Sequence, residues 1–286
     1  MVVFSGQKES PLHFVLVHGF GGGGWCWYKI KRLMEALGFR VSTIDLKASG
    51  LEPSNADAVR TFDDYNSPLI DFLSSLSERD QVVLVGHSAG GLSVTQACHL
   101  FPSKITLAVY LAATMLRLGF HAEEDVKDGV PDLSSVGEVY EFGYGMGKEN
   151  APTSAIVKEE YLRQILYQMC SDEDCSLASK LLRPGPIMAF PNAKFEENGG
   201  SEVPRVYIKA ARDMMLSPAQ QDAMAKRWPP SQMYVMDSDH SPFFSTPVLL
   251  FETLIKAAES AGLARVPDPA LEVNDNSPCS QSSTNF

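Results

Sequence analysis

The sequence is short of positive charge and has no long apolar run. Its 286 residues contain 24 Lys and Arg against 35 Asp and Glu, a formal net charge of −11 at pH 7. Nucleic acids and anionic membrane surfaces attract basic patches, so neither is expected as a partner. No apolar run approaches the roughly 18 residues of a membrane span, and residues 1–19 lack the basic and apolar regions of a secretory signal. We therefore expect a cytoplasmic protein.

Cysteine is also scarce, and its spacing is uninformative. The five cysteines are an odd number and form no Cys-x-x-Cys pair; they are Cys26, Cys98, Cys170, Cys175 and Cys279. Disulfide frameworks and zinc sites use paired, closely spaced cysteines. We therefore expect reduced thiols and neither a metal nor a cofactor.

What the sequence does contain is an alternation of short apolar runs and amphipathic segments. The runs read as strands at 13–17, 40–46, 81–87, 105–113, 205–211 and 232–238. The helical segments between them include 63–76, with Pro68 expected in the first turn, and 91–101, 218–227 and 245–261. Such alternation predicts an α/β fold with a mostly parallel sheet and helices on both faces.

The rhythm breaks between residues 115 and 203, a segment that we call the cap. It begins rich in glycine, proline and acidic residues, shows no strand-like run, and then contains helical segments. We expect a mainly helical cap inserted into a core formed by 12–114 and 204–263. Residues 1–11 read as an N-terminal extension. Residues 264–286 lack apolar periodicity, which predicts a disordered tail.

The stretch "LVGHSAGG" at 84–91 carries the first chemical signal. It places Ser88 between Gly86 and Gly90, after a predicted strand and before a predicted helix. This Gly-x-Ser-x-Gly arrangement is typical of the nucleophile elbow, a turn too tight for side chains at the flanking positions. Ser88 is therefore the candidate nucleophile.

A serine hydroxyl needs a base, and in this arrangement the chain order is serine, acid, histidine. Of six histidines, only His240 follows the last predicted strand. Asp213, just after the preceding strand, is the candidate acid that orients the imidazole. His87 adjoins the serine but is expected to point away from it. Asp239 is expected to shape the loop around His240.

The oxyanion of an acyl-transfer intermediate needs backbone N–H donors. One donor should be Ala89, directly after the nucleophile, and the other should come from the loop after the first strand, where Phe20 is the candidate. That loop, "HGFGGGG", contains four consecutive glycines, Gly21 to Gly24. Their missing side chains are expected to leave room over the site.

These segments resemble the plant methylesterase family of α/β hydrolases. The resemblance covers residues 12–263 and rests on "HFVLVHGFGGGGWCWYKIKRLMEALGFRVSTIDLKASG", "GHSAGGLS" and "DSDHSPFF". It implies a carboxylesterase with the triad Ser88, Asp213 and His240 and with oxyanion amides at Phe20 and Ala89. Within the family, "RVYIKAARD" and "KRWPPSQMYVMDSDHSPFF" resemble most closely the members that cleave methyl indole-3-acetate. The implied products are the auxin indole-3-acetic acid and methanol.

Several alternatives stay open. Methyl jasmonate, methyl salicylate or a larger carbomethoxy compound are other candidate esters. The family also includes hydroxynitrile lyases, which carry a threonine and a lysine where this chain has Gly19 and Ser241. A lyase would therefore need a cation from elsewhere, for instance from the cap. A slow-turnover hormone receptor is the remaining alternative.

The substrate pocket is expected to be apolar, lined by the cap and by the end of the strand before it. The candidate lining residues are Thr114, Met115, Tyr140, Phe142, Tyr144, Met146 and Tyr167. The expected partner is a small methyl ester, and the resemblance leaves open a homodimer formed through the cap.

Overall fold

A computed structural model describes residues 11–263 of the chain. The predicted tail at 264–286 and all but the last residue of the predicted extension at 1–11 lie outside the described residues. So does Cys279, whereas the other four cysteines carry free thiols. No helix in the described part of the chain has both the length and the apolar composition needed to cross a bilayer.

Six parallel strands form the central sheet. In chain order they are β1 (His13–Val17), β2 (Arg40–Ile44), β3 (Val82–His87), β4 (Ile105–Leu111), β7 (Arg205–Ala210) and β8 (Gln232–Met236). Their order across the sheet is β2-β1-β3-β4-β7-β8, and every neighbouring pair is parallel. The carboxyl ends of all six strands therefore meet at one edge, and β3, which leads into Ser88, lies in the middle.

Helices cover both faces of this sheet. They are α1 (Tyr28–Glu35), α2 (Phe62–Ser75), α3 (Gly90–Leu100), α7 (Pro218–Arg227), α8 (Pro242–Ser245) and α9 (Pro247–Ser260). Alternate residues of β1 enter two separate cores: Val15 and Val17 pack with α2, α3 and α7, whereas Phe14 and Leu16 pack with α1 and α9. Side chains alternate between the two faces of a strand. Because β1 is apolar from Phe14 to Val17, both of its faces need cover, which explains the layered fold.

The expected position of Pro68 is wrong. Helix α2 starts at Phe62, so Pro68 lies in its middle rather than in its first turn. Proline leaves the carbonyl four residues earlier without its helical donor. Here the Ser67 hydroxyl donates to that carbonyl, the Asp64 oxygen, at 2.9 Å. A neighbouring side chain thus replaces the missing hydrogen bond, and the helix continues.

The cap is mainly helical, but it also contains two short strands, although its sequence shows no strand-like run. Its helices are α4 (Glu123–Gly129), α5 (Glu159–Ile165) and α6 (Asp172–Leu181). Between α4 and α5, β5 (Tyr140–Gly143) pairs antiparallel with β6 (Ser154–Val157). Each strand has only four residues, and ten residues separate the two. Such short runs within a glycine-rich segment lack the turn signal that marks a tight hairpin.

We expect truncation of Leu69 in α2 to destabilise the fold strongly. Its side chain is fully buried in the core between α2 and the sheet. Replacing a buried leucine by alanine removes apolar contacts and leaves a cavity, at a cost of about 2–5 kcal/mol. Chemical denaturation of Leu69→Ala measures the loss. Leu51→Ala is the matched control, because Leu51 is 92% exposed, and a change within about 0.5 kcal/mol is expected there. Equal losses in both variants would contradict the assigned packing.

Candidate active site

Ser88 occupies a sharp turn between β3 and α3. Its backbone φ is +54°, in the left-handed region that side chains rarely adopt. A Cβ at Gly86 would come within 2.6 Å of the Gly90 carbonyl oxygen, and a Cβ at Gly90 would come within 2.4 Å of the His18 carbonyl oxygen. Both flanking positions therefore require glycine, which is the geometry expected of a nucleophile elbow.

Asp213 and His240 meet at the same edge of the sheet, in the loops after β7 and β8. His240 Nδ1 lies 2.7 Å from Asp213 Oδ2, and both side chains are buried. Asp213 also accepts hydrogen bonds from the Met215 and Leu216 amides at 2.8 and 2.9 Å and from Gln221 at 3.1 Å. Because this carboxylate accepts the proton on Nδ1, the lone pair on Nε2 is left available as a base.

Ser88 and His240 border one cavity. Among the described residues, no hydrogen bond joins Ser88 Oγ to His240 Nε2. In hydrolases without substrate this contact is often long, and it tightens when substrate binds. The arrangement can therefore deliver the serine proton to the imidazole once an ester occupies the cavity.

Two backbone amides at the cavity lack a partner. Within residues 11–263, neither the Phe20 N–H nor the Ala89 N–H donates to another protein group, and both residues border the cavity. Two unpaired donors beside Ser88 are what an oxyanion site offers to an incoming carbonyl oxygen.

The glycine run was expected to leave room over the site, but its glycines mainly allow close packing against neighbouring segments. A Cβ on Gly21 would meet the Arg183 carbonyl oxygen of the cap at 2.6 Å. A Cβ on Gly23 would meet Gly50 at 2.6 Å, and one on Gly24 would meet the Thr43 side chain at 2.9 Å. These glycines let the loop pack closely against neighbouring segments. Close backbone packing makes the loop compact rather than loose.

His87 lies beside His240 and borders the cavity. Its ring centroid lies 4.7 Å from that of His240, and its Nε2 is 2.7 Å from the His240 carbonyl oxygen. Burial, reinforced by the neighbouring His240, lowers the pKa of His87 well below its usual value, so the ring is neutral and can donate from Nε2. His87 ends β3 on the face that the His240 loop covers. Predicting this contact requires both the direction of the His87 side chain and the course of the His240 loop, and the sequence carries no signal for the latter.

Asp239 ties the His240 loop to the cap. Its fully buried carboxylate accepts from the Met169 amide at 2.9 Å and the Cys170 thiol at 3.2 Å in the cap. It also accepts from the Ser241 amide at 3.0 Å and the Ser245 hydroxyl at 2.7 Å. Asp239 therefore shapes its own loop and also fixes the cap relative to His240, which the sequence did not show.

The cavity has a volume of about 760 Å³ and is bordered by the loops of the sheet edge and by the cap. Of the predicted pocket residues, four border it: Thr114, Tyr140, Phe142 and Tyr167. Met115, Tyr144 and Met146 do not. Met115 is buried in the core beside α7, and the other two lie in the long turn after β5. Lining residues that the sequence did not indicate include Trp25, Phe120, Val126, Ile187, Phe190, Leu216 and Phe243.

Two cations of the cap also border the cavity. The Arg183 guanidinium donates to the backbone carbonyls of Gly50, Glu52 and Ser54, which occupies it with the loop after β2. Lys194 is exposed at the cavity border and forms no ion pair with any residue that the structure describes. Residues 11–263 contain no cluster of side chains that could hold a metal ion.

Comparisons with known proteins identify the family and the fold. The model of the Alpha/beta hydrolase family matches residues 14–253. Methylesterase 17 of Arabidopsis thaliana is 60% identical over 260 residues, covering 89% of this chain and 94% of that protein. Pheophorbidase of Raphanus sativus is 45% identical over 257 residues, covering 88% and 96%. The crystal structure of the Arabidopsis methylesterase MES16 superposes with a TM-score of 0.79 at 42% identity, covering 87% and 99%.

We expect Gly90→Ala to disrupt the elbow. The added methyl group would lie 2.4 Å from the His18 carbonyl oxygen, a backbone atom that cannot rotate away. Overpacking of this kind costs about 1–3 kcal/mol, and displacement of Ser88 should also lower ester turnover. The measurements are thermal unfolding and hydrolysis of a generic p-nitrophenyl ester. Gly38→Ala is the control: its site is open, though its φ of +81° is strained, so it should lose stability and keep activity. Wild-type turnover by Gly90→Ala would refute the steric argument.

Proposed function

This chain belongs to the plant methylesterase family of α/β hydrolases, and we propose that its substrate is methyl indole-3-acetate, which it hydrolyses to indole-3-acetic acid and methanol. One observation carries the proposal: Ser88 and His240, which is paired with Asp213, both border one apolar, aromatic-lined cavity. A neutral aromatic methyl ester suits such a lining. The indole acid is favoured by the resemblance of residues 205–213 and 226–244 to auxin methylesterases.

The mechanism proceeds through an acyl-enzyme. His240 Nε2 takes the proton of Ser88 Oγ as that oxygen bonds to the ester carbonyl carbon. The Phe20 and Ala89 amides donate to the oxyanion that forms. When the intermediate collapses, the bond to methoxide breaks, and His240 returns its proton to give methanol. Water, deprotonated by His240, then attacks the acyl carbon. The bond from that carbon to Ser88 Oγ breaks as His240 returns the proton to the serine oxygen, which releases the acid and restores the enzyme.

Asp213 serves both halves of this cycle. Each half creates an imidazolium on His240, and the adjacent carboxylate stabilises that charge and holds the ring in one tautomer. The amides of Met215 and Leu216 and the side chain of Gln221 fix the carboxylate. The acid is therefore positioned before the substrate arrives.

The size of the cavity supports a second candidate substrate, a larger carbomethoxy compound. Pockets of about 300–1,000 Å³ enclose drug-sized ligands, and 760 Å³ lies in the upper part of that range. Two relatives are named for substrates other than an auxin ester, Pheophorbidase at 45% identity and a pFDCC methylesterase at 44%. A bulky acid portion would fill the space that a single indole leaves.

The lyase alternative is weaker on geometry. A side chain at Gly19, where the lyases carry threonine, would meet the Ser88 Cβ at 2.8 Å, and Ser241 supplies no cation beside His240. Lys194 is the one exposed cation that the described cap places at the cavity. A lyase or a slow-turnover receptor would therefore have to use the same Ser88 site without efficient ester cleavage.

The decisive experiment is steady-state hydrolysis of a panel of methyl esters. The panel contains the esters of indole-3-acetate, jasmonate and salicylate and a larger carbomethoxy compound, with mandelonitrile as the lyase substrate. We expect the highest kcat/KM for methyl indole-3-acetate and a loss of at least about 10³-fold in Ser88→Ala. Preference for the larger ester would replace the auxin assignment. Cyanide release without ester hydrolysis, or a single turnover followed by arrest, would overturn the esterase proposal in favour of a lyase or a receptor.

We expect Asp213→Asn to lower kcat by about 10³- to 10⁴-fold, because an amide can donate to His240 Nδ1 and stabilise the wrong tautomer. The measurement is kcat for the best ester of the panel, with circular dichroism to establish folding. Asp237→Asn is the matched control, since Asp237 is an exposed carboxylate directly after β8. It should stay within about twofold of wild type. Similar losses in both variants would remove the special role of Asp213.

A further inference from the structure

His18 is a buried histidine that the mechanism above does not use. It follows β1 directly, and its side chain is fully shielded from solvent. The Leu46 amide, just after β2, donates to its Nε2 at 3.0 Å. Its Nδ1 lies 2.7 Å from the carbonyl oxygen of Gly19. Both ring nitrogens are thus engaged with the backbone of two adjacent strand ends.

These contacts determine the tautomer of His18. Nε2 accepts a hydrogen bond, so it carries no proton, and the single proton of a neutral ring must be on Nδ1. Burial lowers the pKa of His18, which keeps the ring neutral. Nδ1 therefore donates to the Gly19 carbonyl oxygen.

The Gly19 carbonyl belongs to the same peptide unit as the Phe20 N–H. The carbonyl oxygen accepts from His18 Nδ1 and from the Gly22 amide, the latter at 3.1 Å. The described chain has no cis peptide bond. In a planar trans peptide the C=O and N–H point in opposite directions. Two donors that hold the carbonyl on one side consequently hold the Phe20 N–H on the other.

The structure assigns His18 as a positioning residue: by donating to the Gly19 carbonyl, its ring aims the Phe20 amide at the oxyanion. The inference rests on the proposed function, because an aimed amide matters only if an oxyanion forms beside Ser88. The Gly22 hydrogen bond alone only closes a short turn within the loop. The side-chain donor adds an anchor to β2 through Leu46.

Two variants separate the two hydrogen bonds of His18. Asparagine can place its amide nitrogen near the position of Nδ1, so His18→Asn keeps the donor to Gly19 and loses the acceptor for Leu46. Glutamine can place its amide oxygen near the position of Nε2, so His18→Gln keeps the acceptor and loses the donor. We expect kcat of His18→Asn within about fivefold of wild type. Loss of one oxyanion donor costs about 10²–10³-fold, and misaiming it in His18→Gln should cost about 10–100-fold in kcat with KM little changed.

The order of stability should be the reverse. His18→Asn leaves the buried Leu46 amide without an acceptor, whereas in His18→Gln the Gly19 carbonyl still accepts from Gly22. An unpaired buried group is the more costly defect, so the more active variant should be the less stable one. A merely structural histidine predicts that activity follows stability. His13→Asn, at the opposite end of β1 and also buried, loses the 2.9 Å contact of Nε2 with the Ser42 hydroxyl. It is the control that should lose stability without losing kcat.

The readouts are kcat and KM for p-nitrophenyl acetate, the rate of Ser88 phosphonylation by a fluorophosphonate, and the inhibition constant of an aryl trifluoromethyl ketone, whose adduct carries an oxyanion. In His18→Gln we expect kcat and the phosphonylation rate to fall, and the inhibition constant to rise, by a similar factor. In His18→Asn these three quantities should stay near their wild-type values. Wild-type values in His18→Gln, or a loss above about tenfold in folded His18→Asn, would overturn the assignment. If wild-type protein fails to react with either probe at Ser88, the proposed function falls and this assignment falls with it.

Discussion

The left-handed turn at Ser88 is the constraint on which the rest of the site depends. A residue with a side chain at a φ of +54° is strained by about 1–3 kcal/mol. Three backbone hydrogen bonds oppose that strain: the Ser88 amide donates to the Leu111 carbonyl, and the Ser88 carbonyl accepts from Gly91 and Thr114. The nucleophile is thereby attached to the end of β4 as well as to β3. The backbone of the nucleophile is therefore held by the sheet before any substrate binds.

Close approach of the elbow to the end of β1 has a second consequence. Gly90 lies so near the His18 carbonyl that no side chain fits between them, and the His18 ring in turn contacts Gly19 and Leu46. Nucleophile, oxyanion loop and β2 are therefore joined through one buried residue. Relative placement of the attacking oxygen and the oxyanion donors matters within fractions of an ångström, and this connection limits their independent movement.

The sequence predicted what depends on strand ends and failed where tertiary packing decides. Ser88, Asp213 and His240 each follow a strand, and parallel strands bring such positions to one edge. The geometry matches that prediction, although only kinetics tests the roles. Pro68 was misplaced because the compensating Ser67 hydroxyl leaves no sequence signal. The contact of His87 with His240 was not predicted, because it depends on a loop about 150 residues away. Only four of the seven predicted pocket residues border the cavity, because a cap without strong periodicity does not reveal which side chains turn inward.

This difference also explains why the acid portion of the ester is harder to infer than the reaction. Catalytic groups sit on the sheet, whereas most of the cavity wall comes from the cap. Yet the two cannot vary freely, because the cap is attached to the catalytic loops themselves. Asp239 joins cap residues Met169 and Cys170 to the His240 loop, and the Arg183 amide donates to the Gly21 carbonyl at 2.9 Å in the oxyanion loop. A change in the cap that reshapes the cavity must preserve these attachments or it will displace His240 or Phe20. Substrate preference should therefore change most readily through side chains such as Tyr140 and Phe142. Both border the cavity, and within the described residues neither forms a hydrogen bond with the Phe20 loop or the His240 loop.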